Sequence, residues 1–292
     1  MRIQLFSDLH LERNSGFVPF IAPDTDVVVL AGDIGSYQSN SRLTDEDFGL
    51  ARFSPRRADA PKARVLYIPG NHEFDSLEYD TAYARLRASC ERLGIEWLDR
   101  ETVTIEGVRF VGTTLWADFD ALASREPDAG KRLKAREKAF RAANYYLARN
   151  TTLKDGQPVL AEQQREMSLD CQAWLRAALS APFDGTTVAV THYAPSLQSA
   201  DPRYGLTPGT AGFCNAMDDM FALADVWMHG HLHCANDYLV ETETDGRRRT
   251  CHVIANPLGY AGKGEQEAFR PDLVIALQDR LPQDRSLQDR SR

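Results

Sequence analysis

Apolar residues open the chain in short runs, Ile3 to Phe6, Val27 to Ala31 and Val65 to Pro69, each closed by polar residues. A shorter run, Val188 to Val190, comes much later. Runs of this length, rich in valine and isoleucine, predict strands buried on both faces, and their repetition with polar loops predicts βαβ-type layering. Between the second and third runs, Ser36 to Pro61 is charged and contains proline, which predicts a long surface loop with some helix. From Leu77 to Leu93 the apolar positions Leu77, Ala84, Leu86, Cys90 and Leu93 fall at helical spacing and stop at Gly94, so a helix capped by that glycine is expected.

Alternation from Val103 to Leu115 around Glu106-Gly107 predicts a β-hairpin. Phe119 to Ser180 changes texture: it is charge-rich and helix-favouring, with Asn150 to Pro158 as a loop and Leu160 to Leu179 as an amphipathic helix. It reads as a helical insertion (about 119–180) within one domain spanning 1–277. The Pro-, Gly- and Ser-containing stretch from Tyr193 to Phe213 reads as a long loop. Tyr238 to Thr244 and Arg249 to Ala255 pair across Asp245-Gly246, and Leu273 to Leu277 gives a last strand. The polar tail 278–292, with three copies of Gln-Asp-Arg, is expected to be disordered.

With 292 residues and 43% hydrophobic composition the chain can bury a sizeable core. Its formal charge of −8 argues against a broad footprint for nucleic-acid backbone and is compatible with a small anionic substrate. The cysteines Cys90, Cys171, Cys214, Cys234 and Cys251 are scattered and without CxxC spacing, so reduced thiols in a cytoplasmic setting are expected. No apolar stretch reaches the length of a membrane span, and no cleavable leader is expected because polar residues of interest begin at Asp8.

Five of the seven histidines lie in five polar motifs: Asp8-Leu9-His10, Gly32-Asp33, Gly70-Asn71-His72-Glu73, Thr191-His192 and Gly230-His231-Leu232-His233. Four of these directly follow the apolar runs, so loops at strand ends deliver the donors to the place where open α/β sheets bind ligands. Together they carry enough oxygen and nitrogen for two metal ions, and paired divalent ions suit phosphoester hydrolysis because they activate water and neutralise phosphoryl charge. Asp33, alone at the end of a buried strand, is the best bridging carboxylate. Asp8 and His10, two apart in an extended segment, face the same way and can grip one ion. His231 and His233 share that spacing, but in a loop they can diverge and serve one ion each.

This ordered set, DxH, GD, GNHE, TH and GHxH, resembles the calcineurin-like metallophosphoesterase superfamily over residues 8 to 233. The resemblance implies an α/β fold, a four-layer αββα sandwich of two mixed sheets flanked by helices, with a dinuclear metal site at the strand ends. It implies that Asp8, His10, Asp33 and His233 hold one ion and Asp33, Asn71, His192 and His231 the other. It further implies a metal-bridging hydroxide as nucleophile and His72 as the group that protonates the leaving oxygen or steadies the phosphoryl group. Glu73 is expected to orient the His72 imidazole. The implied cofactors are two divalent or mixed-valence ions, with Mn, Fe and Zn foremost, and the implied partner is a small phosphoester. Glu12 and Asn14 are candidates to support His10, and Tyr37, Asn40, Tyr193 and Tyr260 to line the pocket.

Protein phosphatases of the superfamily extend the second motif to GDxVDRG, whose arginine clamps a phosphomonoester dianion. Here Asp33 is followed by Ile34-Gly35-Ser36, which tilts the expectation toward a phosphodiester such as a cyclic nucleotide. A phosphomonoesterase or protein phosphatase is the alternative; nuclease action is a third, against which the acidic chain lacks the extra DNA-binding regions that such relatives carry. A non-catalytic binding scaffold of the same fold would show eroded motifs, and every motif is intact. The sequence leaves the oligomeric state open.

Overall fold

In a computed structural model, which describes residues 1–149, 152–244 and 246–277, the apolar runs become strands of two sheets. β1 (Arg2–Phe6), β2 (Val27–Ala31) and β3 (Arg64–Ile68) lie parallel and adjacent, and after helix α1 (Tyr79–Leu93) the short β4 (Glu96–Trp97) joins β3 in parallel. The chain then enters the second sheet with the hairpin β5 (Glu101–Ile105) and β6 (Val108–Thr113). Helix α2 (Ala129–Leu147), the small hairpin β7 (Leu153–Lys154) and β8 (Gln157–Pro158), and helix α3 (Ala161–Ser180) follow. β9 (Thr186–Thr191), β10 (Val226–His229) and the antiparallel ribbon β11 (Asn236–Thr244) and β12 (Arg247–Ala255) complete that sheet, and β13 (Val274–Ala276) returns antiparallel to β1.

The first sheet runs β13-β1-β2-β3-β4 and the second β11-β12-β10-β9-β6-β5. Both are mixed, as in the expected αββα sandwich: the first has one antiparallel edge strand, β13, and the second is antiparallel at both edges, β11 and β5. Residue alternation builds the layers. Val27, Val29 and Ala31 of β2 share one buried cluster with Phe110, Val188, Val190 and Met228 from the second sheet, which is the core between the sheets. Val28 and Leu30 point the other way and join Leu86, Cys90 and Leu93 of α1. With every residue of β2 buried, the strand reads as a continuous apolar run. On the far side, Arg109 of β6 is buried yet satisfied: it donates to Thr187 Oγ1 and to the carbonyls of Ala178, Leu179 and Ala181 at the end of α3. That fastens the helix to its sheet by its orphan carbonyls.

Two expectations change. The β1–β2 and β2–β3 connections contain no α-helix among the described residues; in the first sheet the α-helical crossover is β3–α1–β4, and in the second α2 and α3 join the parallel β6 and β9. Phe48, Leu50 and Phe53, around a 3₁₀ turn at Leu50–Phe53, are buried instead and cover the sheet in a helix's place. The stretch read as a loop before Pro158 contains the β7–β8 hairpin, because Asp155 and Gly156 both take positive φ (52° and 70°), as a two-residue primed turn requires. The same device closes β5–β6 at Glu106 and Gly107. The tail 278–292, Asn150, Thr151 and Asp245 lie outside the described residues.

Candidate metal centre

The five motifs sit at the carboxyl ends of β1, β2 and β3 in one sheet and of β9 and β10 in the other. Backbone hydrogen bonds stitch these ends together: Asp8 N–H donates to Gly32 O (3.0 Å), His10 N–H to Asp33 O (3.0 Å) and Gly230 N–H to His192 O (3.0 Å). The Asp8 carboxylate crosses between sheets by accepting from His231 N–H at 2.9 Å. Past the strands the backbone turns left-handed at Asp8 (φ 52°), His10 (46°), Asp33 (55°), His231 (71°) and His233 (47°). Each such residue costs about 1–3 kcal/mol, and clusters of them persist where the surrounding structure enforces them, commonly at functional sites.

Two glycines show how tightly the loops approach. A Cβ on Gly32 would lie 2.5 Å from His192 Nδ1, and one on Gly70 would run into Asp33 Oδ1. Only a residue without a side chain lets these backbones meet.

Two groups of donor atoms result. Asp8, His10, Asp33 and His233 present atoms that all lie within 4.8 Å of one another, and so do Asp33, His192 and His231. Asp33 belongs to both. Its Oδ2 is 3.9 Å from His10 Nε2 and 3.2 Å from His192 Nε2. Asn71 Oδ1 stands 3.2 Å from His192 Nε2, at the edge of the second group. The structure therefore brings together all seven side chains named as candidate ligands.

The chemistry of these donors fits cations. His10 Nδ1 faces Glu12 Oε1 at 3.1 Å, His233 Nδ1 faces Glu265 Oε2 at 2.6 Å, and His192 Nδ1 faces the Ala31 carbonyl at 2.9 Å. Each of these oxygens can accept from an Nδ1–H, which leaves Nε2 as the atom each ring presents to a cation in the centre. There the Nε2 atoms converge: those of His10 and His233 are 2.9 Å apart. Among the described residues, Asp33 Oδ2 and His231 Nε2 are buried without a well-formed hydrogen bond. Carboxylate, imidazole and amide oxygen together suit ions such as Mn, Fe or Zn.

Charge follows the same logic. Burial pushes the Asp33 carboxyl up, but His192 and His72 outweigh it and hold it well below the usual carboxylate range. Burial lowers His192, yet Asp33 lifts it to about 9, so a proton and a cation compete for its Nε2. Burial, then the neighbouring His192, keeps His231 well below its ordinary value and therefore neutral.

His72 stands apart from the donor groups, on the 3₁₀ turn His72–Phe74. Its N–H donates to Asp33 Oδ1 at 2.9 Å and its ring stands 5.0 Å from that of His10. The carboxylate that orients it is Asp75, with Oδ2 2.5 Å from Nδ1, and not Glu73. Burial disfavours charge on His72, but Asp75 and Asp33 raise its pKa well above the ordinary value. Glu73 instead lies fully buried beneath the site and accepts from Ile34 N–H (2.7 Å), Gly70 N–H (2.9 Å) and Asp33 N–H (3.1 Å). On the turn, successive side chains diverge, so residue 73 points into the protein while residue 75 returns to the imidazole. Burial, then Asp33, pushes the Glu73 carboxyl up to about 8 against those donors.

Other sequence candidates sort by geometry. Glu12 supports His10, and Asn14 Nδ2 donates to the carbonyls of Leu9 (2.9 Å) and Gly259 (2.7 Å). Tyr193 packs its ring 3.9 Å from His231 and Tyr260 stacks on His10 at 4.3 Å. Tyr37 instead packs on Phe48 within the β2–β3 loop and donates to Asp45 O, and Asn40 is exposed on the same loop. His229, held by Ser199 Oγ and Gly230 O, and His252, paired with Asp237, stay outside the donor groups. Sequence reading missed Asp75 and Glu265. Asp75 is signalled only by its place three residues after His72, and nothing in the chain ties Glu265 to His233.

A family model described as calcineurin-like phosphoesterase matches residues 1–235. The crystal structure of the phosphopantetheinyl hydrolase from Mycobacterium tuberculosis aligns at 20% identity with a TM-score of 0.61, covering 91% of this chain and 92% of that one. A second solved structure, 11% identical over 90% of this chain and 92% of its own, has a TM-score of 0.41, too distant to bear on the site. Among curated proteins no significant sequence match was found. Among the described residues no helix is long and apolar enough to cross a membrane.

Proposed function

This chain belongs to the calcineurin-like phosphoesterase family, and from that premise we propose that it hydrolyses a small phosphodiester, a cyclic nucleotide being one candidate, in preference to a phosphomonoester. Asp8, His10, Asp33 and His233 would hold one ion, and Asp33, Asn71, His192 and His231 the other, with Asp33 shared between them. When bound, two such ions activate water at neutral pH and neutralise charge on the phosphoryl oxygens. His72, its Nδ1 held by Asp75, has Nε2 left to give a proton to the departing oxygen.

The diester preference is carried by the segment after Asp33, which is packed into the protein and has no arginine at the motif's position. Ile34 is buried with its N–H on Glu73, and a Cβ on Gly35 would lie 2.5 Å from Phe48 O. The arginine of GDxVDRG would fall at Tyr37, whose ring packs on Phe48 and whose hydroxyl donates to Asp45 O, so no cation stands there, and a diester monoanion needs less positive charge. Mn, Fe and Zn are the favoured ions, and the five unpaired cysteines support a reducing, cytoplasmic setting.

The test is metal analysis of the purified protein followed by parallel turnover of bis(p-nitrophenyl) phosphate, p-nitrophenyl phosphate, several cyclic nucleotides and a phosphopantetheinyl ester, the last chosen for the name of the structural neighbour. Faster turnover of diesters is expected. Faster turnover of p-nitrophenyl phosphate would favour a phosphomonoesterase, and no turnover with two ions bound would favour a scaffold.

A further inference from the structure

The loop after β12 reaches the metal centre from beyond the family-matched residues. Leu258 N–H donates to Ser7 O (3.1 Å) and Gly259 N–H to Asp8 O (2.9 Å), while Asn14 Nδ2 holds the Gly259 carbonyl. The loop is thereby pinned to the first motif on both sides of the turn at Gly259 (φ 67°). Its next residue, Tyr260, stacks on His10 with ring centroids 4.3 Å apart and 25° between planes, and meets His233 edge-on at 5.1 Å. Tyr260 N–H donates to the Glu265 carboxylate oxygen that also receives His233 Nδ1, and the Lys263 ammonium lies 4.5 Å from the Tyr260 ring centroid. The ring is held firmly.

Its hydroxyl is not. Among the described residues it has no hydrogen-bond partner, although the ring that carries it lies against His10 and His233. A phenol fixed beside such a centre, with an unused O–H, is a donor in search of an acceptor.

We propose that Tyr260 is a specificity-determining residue whose hydroxyl donates a hydrogen bond to a non-bridging phosphoryl oxygen of the substrate. The assignment rests on the phosphoesterase reading above. It supplies what the second motif lacks: a donor to the phosphoryl group. Being neutral, that donor grips a diester monoanion without the charge that would favour a dianion. It also belongs to a loop outside the family-matched residues 1–235.

The test compares the metal-loaded wild type with Tyr260→Phe, which keeps the ring on His10 and removes only the hydroxyl. Three quantities are read: bound ions, kcat/KM for bis(p-nitrophenyl) phosphate, and affinity for inorganic phosphate by calorimetry. The variant is expected to keep both ions, lose about tenfold or more in kcat/KM, and bind phosphate correspondingly more weakly, as for a hydrogen bond to a charged acceptor. Unchanged kcat/KM and phosphate affinity in an active protein overturns the role of Tyr260 alone. Loss of ions from the variant overturns it too, since the hydroxyl would then serve the centre and not the substrate. A wild type that neither turns over diesters nor binds phosphate brings down the phosphoesterase reading, and this assignment with it.

Discussion

His10 and His233, 223 residues apart in the chain, point their Nε2 atoms at each other across 2.9 Å. With Glu12 and Glu265 each facing an Nδ1, the two Nε2 atoms converge where one cation would coordinate both. The metal-loaded protein should therefore melt well above the chelated one. With free ion at a hundredfold excess over its Kd, binding to the folded state alone adds about 2.7 kcal/mol for each site. Calorimetric melting with and without chelator measures it; coincident curves would mean that the centre binds no ion tightly.

Asp33 is the one carboxylate common to both donor groups. Asp33→Ala should lose both ions together and abolish turnover. Metal content and circular dichroism of the purified variant check this, and a folded Asp33→Ala that still holds two ions would refute the shared role.

For the His72–Asp75 pair the expectation is different. His72→Ala should keep both ions while slowing turnover by about 10²–10⁴-fold, most for poor leaving groups that need the proton. Asp75→Asn should show the same dependence on leaving group with a smaller loss, because an amide still holds the ring but no longer favours its charged form. Rates across a series of aryl diesters decide the matter, and uniform loss across the series would count against proton donation.

Glu265 should matter through His233. Replacing it with alanine is expected to weaken binding of one ion about 10–100-fold and to leave the other unchanged. Glu265→Gln, which can still accept from Nδ1, should fall between. Titration calorimetry resolves the two sites; equal weakening of both would argue for general collapse of the loop.

The legible part of this protein was local. β1, β2, β3 and β9 announce themselves as short apolar runs because a strand buried on both faces takes mostly apolar side chains, the buried Gln4 of β1 being satisfied by the carbonyls of Phe20 and Pro271. Gly94 marks the end of α1 because a left-handed residue (φ 74°) is cheapest without a side chain. The β7–β8 hairpin was passed over because two-residue strands carry too little pattern, and the helix-free crossovers because a loop holding Phe48, Leu50 and Phe53 covers a sheet as well as a helix does.

The amino-acid sequence by itself determined the donor inventory and where it would gather, since four of the five motifs directly follow apolar runs and parallel strands in a layer end on one side. Only the tertiary structure decided which carboxylate serves which imidazole. Glu73 is next to His72 in the chain, yet the turn sends it down to the backbone N–H groups of Asp33, Ile34 and Gly70, and Asp75 takes its expected place. Glu265 reaches His233, and Tyr260 reaches His10, only because β12 delivers its following loop against Ser7 and Asp8. Side-chain partnership across such distances is set by how sheets stack and loops are pinned, and no periodicity along the chain encodes it.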